Sequence, residues 1–369
     1  MSRLKNKVLL INEGLSDNFG DQVIKESMSY LINRIGCETE FQDLTRHKAS
    51  YHHRYDVDVD VDVDVDVDVD VDGRAVKATW LLLLKGFLWK LLWVAKNTKR
   101  IARAALNQYE AIVIGGGQLL LSNGIFPLAL FVWVSLLKIR NKKNIVLFSV
   151  GLQGSYGKFQ RIIFSYIFEN VSCIYVRDEL SKEILQRVFN KHSIVTYDSA
   201  FIYNNVYQVK KTPPKYHYLI GIVDYRVYCL YENSRPLTRH EYFETWVAHI
   251  GESADFSKTA LIYATVEDRS ECLNFKNFIK KYYHVDLDIL ENVNHYQFLD
   301  NLALGDTIVS GRMHSLILGL VSHKRILPYV ISEKIEFFLE ALERESDLES
   351  IQTIVYADFE KMISQVSQC

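Results

Sequence analysis

Cysteine is sparse in this chain. Five residues, Cys37, Cys173, Cys229, Cys272 and Cys369, are scattered over 369 positions, odd in number and without a CxxC pair. That excludes a disulfide framework and a structural zinc site, and implies a reduced, cytoplasmic chain. Long hydrophobic runs are missing too. The N-terminal run stops at Ile11, where Asn12 and Glu13 intervene, too early for a signal-peptide core and suited to a first buried strand. The runs that start at Trp80 and Ile125 are broken by Lys85 and Lys90 and by Lys138, short of the roughly 20 apolar residues of a bilayer span. The basic residues form no single stripe and no nucleic-acid-binding module is visible, so no nucleic-acid partner is expected.

What is there describes a soluble globular protein, with 49% hydrophobic and 24% charged residues and length enough for two domains. One segment departs from that pattern. Residues 56–72 alternate Asp and Val strictly, which would place nine carboxylates along one face of a strand. Their repulsion opposes any packed position, and so regular a row does not wrap a single ion as a calcium loop does. The array is expected to be a solvated insertion. It also hides the charge of the rest: without its nine carboxylates the formal net charge of −2 becomes +7, which favours an anionic substrate or an anionic membrane surface.

Elsewhere strand, loop and helix alternate. "KVLLIN" leads through "EGLSDNFGDQ" to a helix over 23–35. "AIVIGGGQLLL" and "NIVLFSVGLQG" are strands that end in glycine loops, and "CIYVRDELSKEILQRVF" is a strand running into a helix capped by Asp178 or Ser181. Such alternation implies parallel sheets covered on both faces. "VKKTPPKYHY" reads as a linker, after which the pattern restarts. The expected organisation is an N-terminal Rossmann-like domain over 1–208, a linker over 209–218, a C-terminal Rossmann-like domain over 219–340 and a helical segment over 341–369. Two such domains facing across a cleft describe a GT-B-like α/β fold.

In doubly wound sheets ligands lie beyond the carboxyl ends of the strands, where helix N-termini offer backbone N–H groups to anions. Asn18, Gly20 and Asp21, then Gly115, Gly116 and Gly117, then Gly151 and Gln153 fall at such ends in the first domain. Ser310, Arg312 and His314 fall there in the second, and Lys334 follows one strand later. Each has a plainer reading. Asp21 serves equally as a helix cap, Arg177 and Asp178 as a structural ion pair, and Tyr197 with Asp198 as a helix start or a contact that closes the domains. The glycines serve equally for close packing. His240, His249, His284 and His323 receive no role, and no metal site is expected.

"NFGDQVI", "GGGQLL", "SVGLQG", "YVRDELS", "YDSAF" and "SGRMHSLILG" with a later "SEK" resemble, in order and spacing, the polysaccharide pyruvyl transferase family. The resemblance spans nearly the whole chain apart from the Asp-Val array and the hydrophobic, basic segment after it. It implies a GT-B-like fold and transfer of a pyruvyl group from phosphoenolpyruvate to a sugar as a ketal, with no cofactor. Phosphoenolpyruvate carries a carboxylate and a phosphate, so Arg312 is expected to offer a planar fork to either anion, Lys334 a point charge, and His314 an acid and base near neutral pH. The acceptor is expected to be a sugar or oligosaccharide, free or lipid-linked.

Two other readings stay open: a glycosyltransferase that uses a nucleotide sugar in the same cleft, and a non-catalytic scaffold of surface-polysaccharide synthesis. One segment also has two readings. Between residues 77 and 106, Trp80, Phe87, Trp89 and Trp93 alternate with Lys85, Lys90, Lys96, Lys99, Arg100 and Arg103. The mixture suits a helix lying on the inner face of an anionic membrane as well as one packed on the N-terminal sheet.

Overall fold

The structure, a computed structural model, describes residues 6–46, 68–69, 75–76, 80–210, 212–231, 236–251, 255–345 and 347–367. The first domain comprises β1 (Lys7–Asn12), α1 (Phe19–Arg34), β2 (Glu38–Asp43), the short pair β3 (Asp68–Val69) and β4 (Ala75–Val76), α2 (Trp80–Leu106), β5 (Ala111–Leu121), α3 (Phe126–Ile139), β6 (Ile145–Gln153), α4 (Lys158–Glu169), β7 (Cys173–Val176), α5 (Glu179–Phe189) and β8 (Ile194–Val195). Its sheet is parallel throughout, in the order β2-β1-β5-β6-β7-β8. The inner strands are apolar on both faces because helices cover both: Val8 to Ile11 and Ile145 to Phe148 are completely buried. Beyond β3, the Asp-Val array lies outside the described residues.

After a 3₁₀ helix over Ser199–Asn205, the second domain follows with β9 (Tyr216–Gly221), α6 (Tyr225–Tyr231), α7 (Arg239–Ile250), β10 (Thr259–Leu261), α8 (Val266–Tyr283), β11 (Asp288–Ile289), α9 (His295–Leu302), β12 (Gly305–Ser310), α10 (Met313–Val321), β13 (Arg325–Pro328) and α11 (Glu333–Arg344). Its parallel sheet runs β11-β10-β9-β12-β13. The linker is shorter than its composition suggests, since 216–218 already belong to β9. The last helix, α12 (Leu348–Ser367), returns to the first domain: Phe359 sets its ring edge-on against Phe148 at 5.1 Å, and Gln352 Nε2 donates to the Phe201 carbonyl at 2.7 Å.

Strand order reverses between β1 and β5 in one sheet and between β9 and β12 in the other. These reversals leave crevices at the carboxyl edges, and the loops that leave β1 and β12 are the ones that meet. The Phe19 amide donates to the Ala264 carbonyl at 3.1 Å across the domains, while the Phe19 and Phe298 rings lie 5.6 Å apart. A backbone bond and an aromatic pair thus fix the first turn of α1 against the second domain, and set where its side chains point.

The segment with two readings divides between them. In the C-terminal half of α2, Trp93, Asn97, Ile101, Ala104 and Ala105 recur at helical spacing and are buried on the sheet. Trp93 Nε1 donates to the Thr45 carbonyl at 2.7 Å. Arg100 is no surface cation either, for it donates to the Asp43 carbonyl at 2.7 Å and lies over the Trp133 ring. Phe87, Leu88, Trp89, Leu91 and Leu92, in the other half, are exposed.

Candidate active site between the domains

Asn18 caps α1 by accepting from the Gly20 amide at 2.9 Å, which lets the helix begin at the domain boundary. Gly20 is there because nothing larger fits: a Cβ on it would lie 2.2 Å from His314 Nδ1. The imidazole, from the start of α10, therefore packs flat on the backbone of the opposite domain. Its Nε2 lies 3.5 Å from Asp198 Oδ2, and the same oxygen accepts from Arg177 Nη1 at 2.9 Å. Asp198 Oδ1 accepts from the Ala200 amide at 3.0 Å and so starts the 3₁₀ helix. Asp198 is thus both helix start and domain-closing contact, with its carboxylate beside the imidazole.

The charges of this group are tightly set. Burial pushes the Asp198 carboxyl up, but the His314 imidazole, the Arg177 guanidinium and the Ala200 amide outweigh it and hold the group below the usual carboxylate range. Asp21 goes the other way. Burial and the nearby Asp198 raise it, although His314, the Ser16 hydroxyl at 2.7 Å and Arg177 all pull it down. A third carboxyl, Glu13 just beyond β1, is raised to about 8 by burial and by Asp43, despite accepting from Thr45 N and Oγ1 at 2.8 Å each. Arg177 pairs with Asp198 at 2.9 Å and more loosely with Asp178 at 3.5 Å, and Asp178 also caps α5 through the Ser181 amide.

The second cluster is cationic. Lys334 Nζ donates to the Tyr231 hydroxyl at 3.2 Å, and Gln153 Nε2 reaches the same oxygen at 3.3 Å while Gln118 donates to Gln153 Oε1. Desolvation lowers the Lys334 pKa; Tyr231 opposes this, and the charges of Arg177 and Arg312 reinforce it. Burial would raise the Tyr231 phenol, yet Lys334, the Gln153 amide and Arg312 bring it below its ordinary value. Lys334 is thus the cation in contact with the Tyr231 oxygen, and Arg312 adds positive charge from further away.

The fork of Arg312 is committed elsewhere than expected. Its Nε and Nη2 donate to Asp268 Oδ2 and Oδ1 at 2.9 and 2.7 Å, so the fork that was expected to hold an anion holds a buried aspartate. Ser310 is fully buried: it donates to the Gly221 carbonyl at 3.2 Å and accepts from the Arg312 amide at 3.0 Å, which pins the ends of β9 and β12 and aims Arg312. The three glycines divide. The space beside Gly115 is filled by the Phe148 carbonyl and that beside both Gly116 and Gly117 by Ile24, although the Cβ position of Gly117 also lies 3.8 Å from Asp21 Oδ1. Gly116 and Gly117 have φ of +77° and +86°, a bend in β5 that side chains oppose. Gly151 gives Arg177 room, its Cβ position lying 2.7 Å from Nε.

A family model for polysaccharide pyruvyl transferase matches residues 18–332, from the Asn18 cap to the residue before α11. The chain belongs to the polysaccharide pyruvyl transferase family. Among solved structures it is similar in fold to UDP-GlcNAc 2-epimerase from Methanocaldococcus jannaschii, at 12% identity over 91% of this chain and 92% of that one, with a TM-score of 0.51. A putative UDP-N-acetylglucosamine 2-epimerase from Listeria monocytogenes aligns over 99% of this chain and 91% of its own, at 12% identity and a TM-score of 0.52. UDP-N-acetylglucosamine 2-epimerase from Rickettsia bellii aligns over 99% and 95%, at 9% identity and 0.50. These likenesses support the GT-B-like fold alone. No curated protein matches the chain in sequence. In this pyruvyl transferase family member, no helix among the described residues is long and apolar enough to cross a membrane.

Tyr231, Gln118 and Asp268 escaped the sequence. Tyrosine is common here, with 22 residues, and nothing local distinguishes the one that meets Lys334. Asp268 sits in the first turn of α8, where an acidic residue suits the helix dipole and is ordinarily read no further. The signal that did exist lay in "YVRDELS" and "YDSAF", both at strand ends facing the cleft.

Proposed function

We propose that the cleft transfers a pyruvyl group from phosphoenolpyruvate to two hydroxyls of a surface-polysaccharide sugar, forming a ketal. The observation that carries this is His314, backed by Asp198 from the other domain and flanked by the cluster of Lys334, Arg312 and Tyr231. The donor's phosphate and carboxylate suit those cations, Lys334 as a point charge and Arg312 through the edge that Asp268 leaves open. His314 delivers a proton to the methylene carbon of the enol, and a sugar hydroxyl adds to the adjacent carbon as its own proton leaves. Phosphate then departs with the bonding electrons of its ester oxygen. A second hydroxyl closes the ketal and gives up its proton, which regenerates the starting ionisation. Asp21, with its raised carboxyl beside His314, is placed to take one of the released protons.

The test is donor turnover. The protein incubated with phosphoenolpyruvate and a panel of oligosaccharides should release inorganic phosphate and leave an acid-labile pyruvyl group on the acceptor. Release of a nucleotide from UDP-sugars, with phosphoenolpyruvate untouched, would assign the cleft to glycosyl transfer. Binding without turnover of either donor would assign it to the scaffold reading.

A further inference from the structure

We propose that the cleft-side ends of α2 and α4 form a docking surface for an anionic lipid membrane. This goes beyond the proposed reaction and does not depend on which group is transferred. Helices that connect parallel strands run back against the strand direction, so their first turns lie at the carboxyl edge of the sheet. Since α2 leads into β5 and α4 leaves β6, the first turns of both lie at the edge where the cleft opens. Trp93 of α2 reaches the Thr45 carbonyl just past the end of β2, which sets the residues before it at that edge. Phe87, Leu88, Leu91 and Leu92, in the third and fourth turns of α2, and Phe159 and Ile162, in the first two turns of α4, are between 49% and 70% exposed. From Trp93 onward one face of α2 is buried on the sheet, so its apolar residues are divided by position and not spread along one stripe.

Charge selects the occupant. The helices α2, α3 and α4 carry a single carboxylate, Glu169, at the far end of α4. Against it stand the exposed Lys85, Lys96, Lys99 and Arg103 of α2 and Lys158 of α4. Exposed Phe and Leu beside lysines, with almost no acid to repel it, match the acyl and headgroup layers of an anionic bilayer. A protein partner would find few carboxylates here with which to define a register. The surface borders the cleft mouth, so docking would present the site to acceptors at the bilayer.

Vesicles of phosphatidylglycerol and phosphatidylcholine, and of phosphatidylcholine alone, provide the test with the full chain. The protein should co-sediment with the anionic vesicles at low salt, release at high salt as the surface charge is screened, and leave neutral vesicles largely unbound. Lys85→Glu, Lys96→Glu and Lys158→Glu together should lower partitioning about 100-fold, on the scale expected for reversing three cations near a charged surface. Phe87→Ser with Phe159→Ser should do the same without altering net charge. All five positions are exposed, and unchanged circular dichroism would confirm that the variants fold. Brominated lipids should also quench fluorescence from the wild type through Trp89, a readout that needs no variant. Absence of wild-type binding to anionic vesicles at low salt would overturn the proposal. So would partitioning unchanged in both variants, or a wild-type dimer that Phe87→Ser with Phe159→Ser dissolves while vesicle binding persists.

Discussion

The first domain furnishes its side of the cleft with carboxylates and bare backbone; the second supplies cations and the imidazole. Asp21, Asp198 and Gly20 stand on one side, and Arg312, Lys334, Tyr231 and His314 on the other. Arg177 brings a cation to the first side, where it pairs with Asp198 and, more loosely, with Asp178. Neither side alone composes an acid/base unit with an anion site. The histidine belongs to α10, but the carboxylate beside it and the glycine that admits it belong to the other domain. The two domains together therefore build the surroundings of the imidazole.

The comparison breaks most visibly at the histidine. His314→Ala should reduce turnover about 100-fold or more, the usual cost of losing a general acid or base, with little change in donor affinity. Turnover within about twofold of wild type would return His314 to the role of an interdomain packing residue. Arg312→Lys should come next, raising the KM for phosphoenolpyruvate about tenfold, because an ammonium cannot hold Asp268 at two points and still present an edge to the cleft. Donor affinity equal to wild type would remove Arg312 from the anion site and leave it as the partner of Asp268.

Gly20→Ala sharpens the same contrast from the other side. A methyl group 2.2 Å from His314 Nδ1 must displace the ring, so kcat should fall about tenfold while the KM for the donor stays near its starting value. An equal fall in donor affinity would mean that the whole cleft, and not the imidazole alone, had moved.

Glu13→Gln should have the smallest effect on catalysis and should act on stability. The carboxyl is raised from 4.5 to about 8 by burial and by Asp43. Between those values the folded state keeps a proton that the unfolded state has lost, so stability must fall as pH rises through the window. Glu13→Gln removes that proton uptake. Urea unfolding from pH 5 to 8.5 should show a flatter pH dependence in the variant, which gains on wild type by of order a few kcal/mol at the alkaline end. Parallel pH curves for the two proteins would refute the assignment.

Much of the fold was legible because parallel sheets leave a local trace. Apolar runs such as "VLLI" and "CIYV" end in polar loops and are followed by helices; the cap at Asp178 was readable, whereas the first helix is capped by Asn18 and not by Asp21. The loops that carry the site were legible for the same reason, as they are the strand ends. What could not be read was which loop meets which. The contact of His314 with Asp198 crosses domains, and an interdomain contact imposes no spacing on either segment. The fork of Arg312 looked available because its partner Asp268 lies in a separate helix whose sequence reads as ordinary. The glycine cluster was legible as a bend but not in its packing, since only the fold shows the Phe148 carbonyl beside Gly115 and Ile24 beside both Gly116 and Gly117. The helix α2 looked uniform because leucine and tryptophan run through both halves, although only one half finds a sheet to cover.

A double-mutant cycle on His314 and Asp198 tests most directly whether the catalytic unit is shared between the domains. Turnover of phosphoenolpyruvate would be measured for wild type, His314→Ala, Asp198→Asn and the double variant, each checked for an unchanged melting temperature. If Asp198 acts by holding the imidazole in place, its loss matters only while His314 is present, and the double variant should be no slower than His314→Ala alone. Losses that add in free energy would show that Asp198 works independently of His314, and the account of a shared acid/base unit would be wrong.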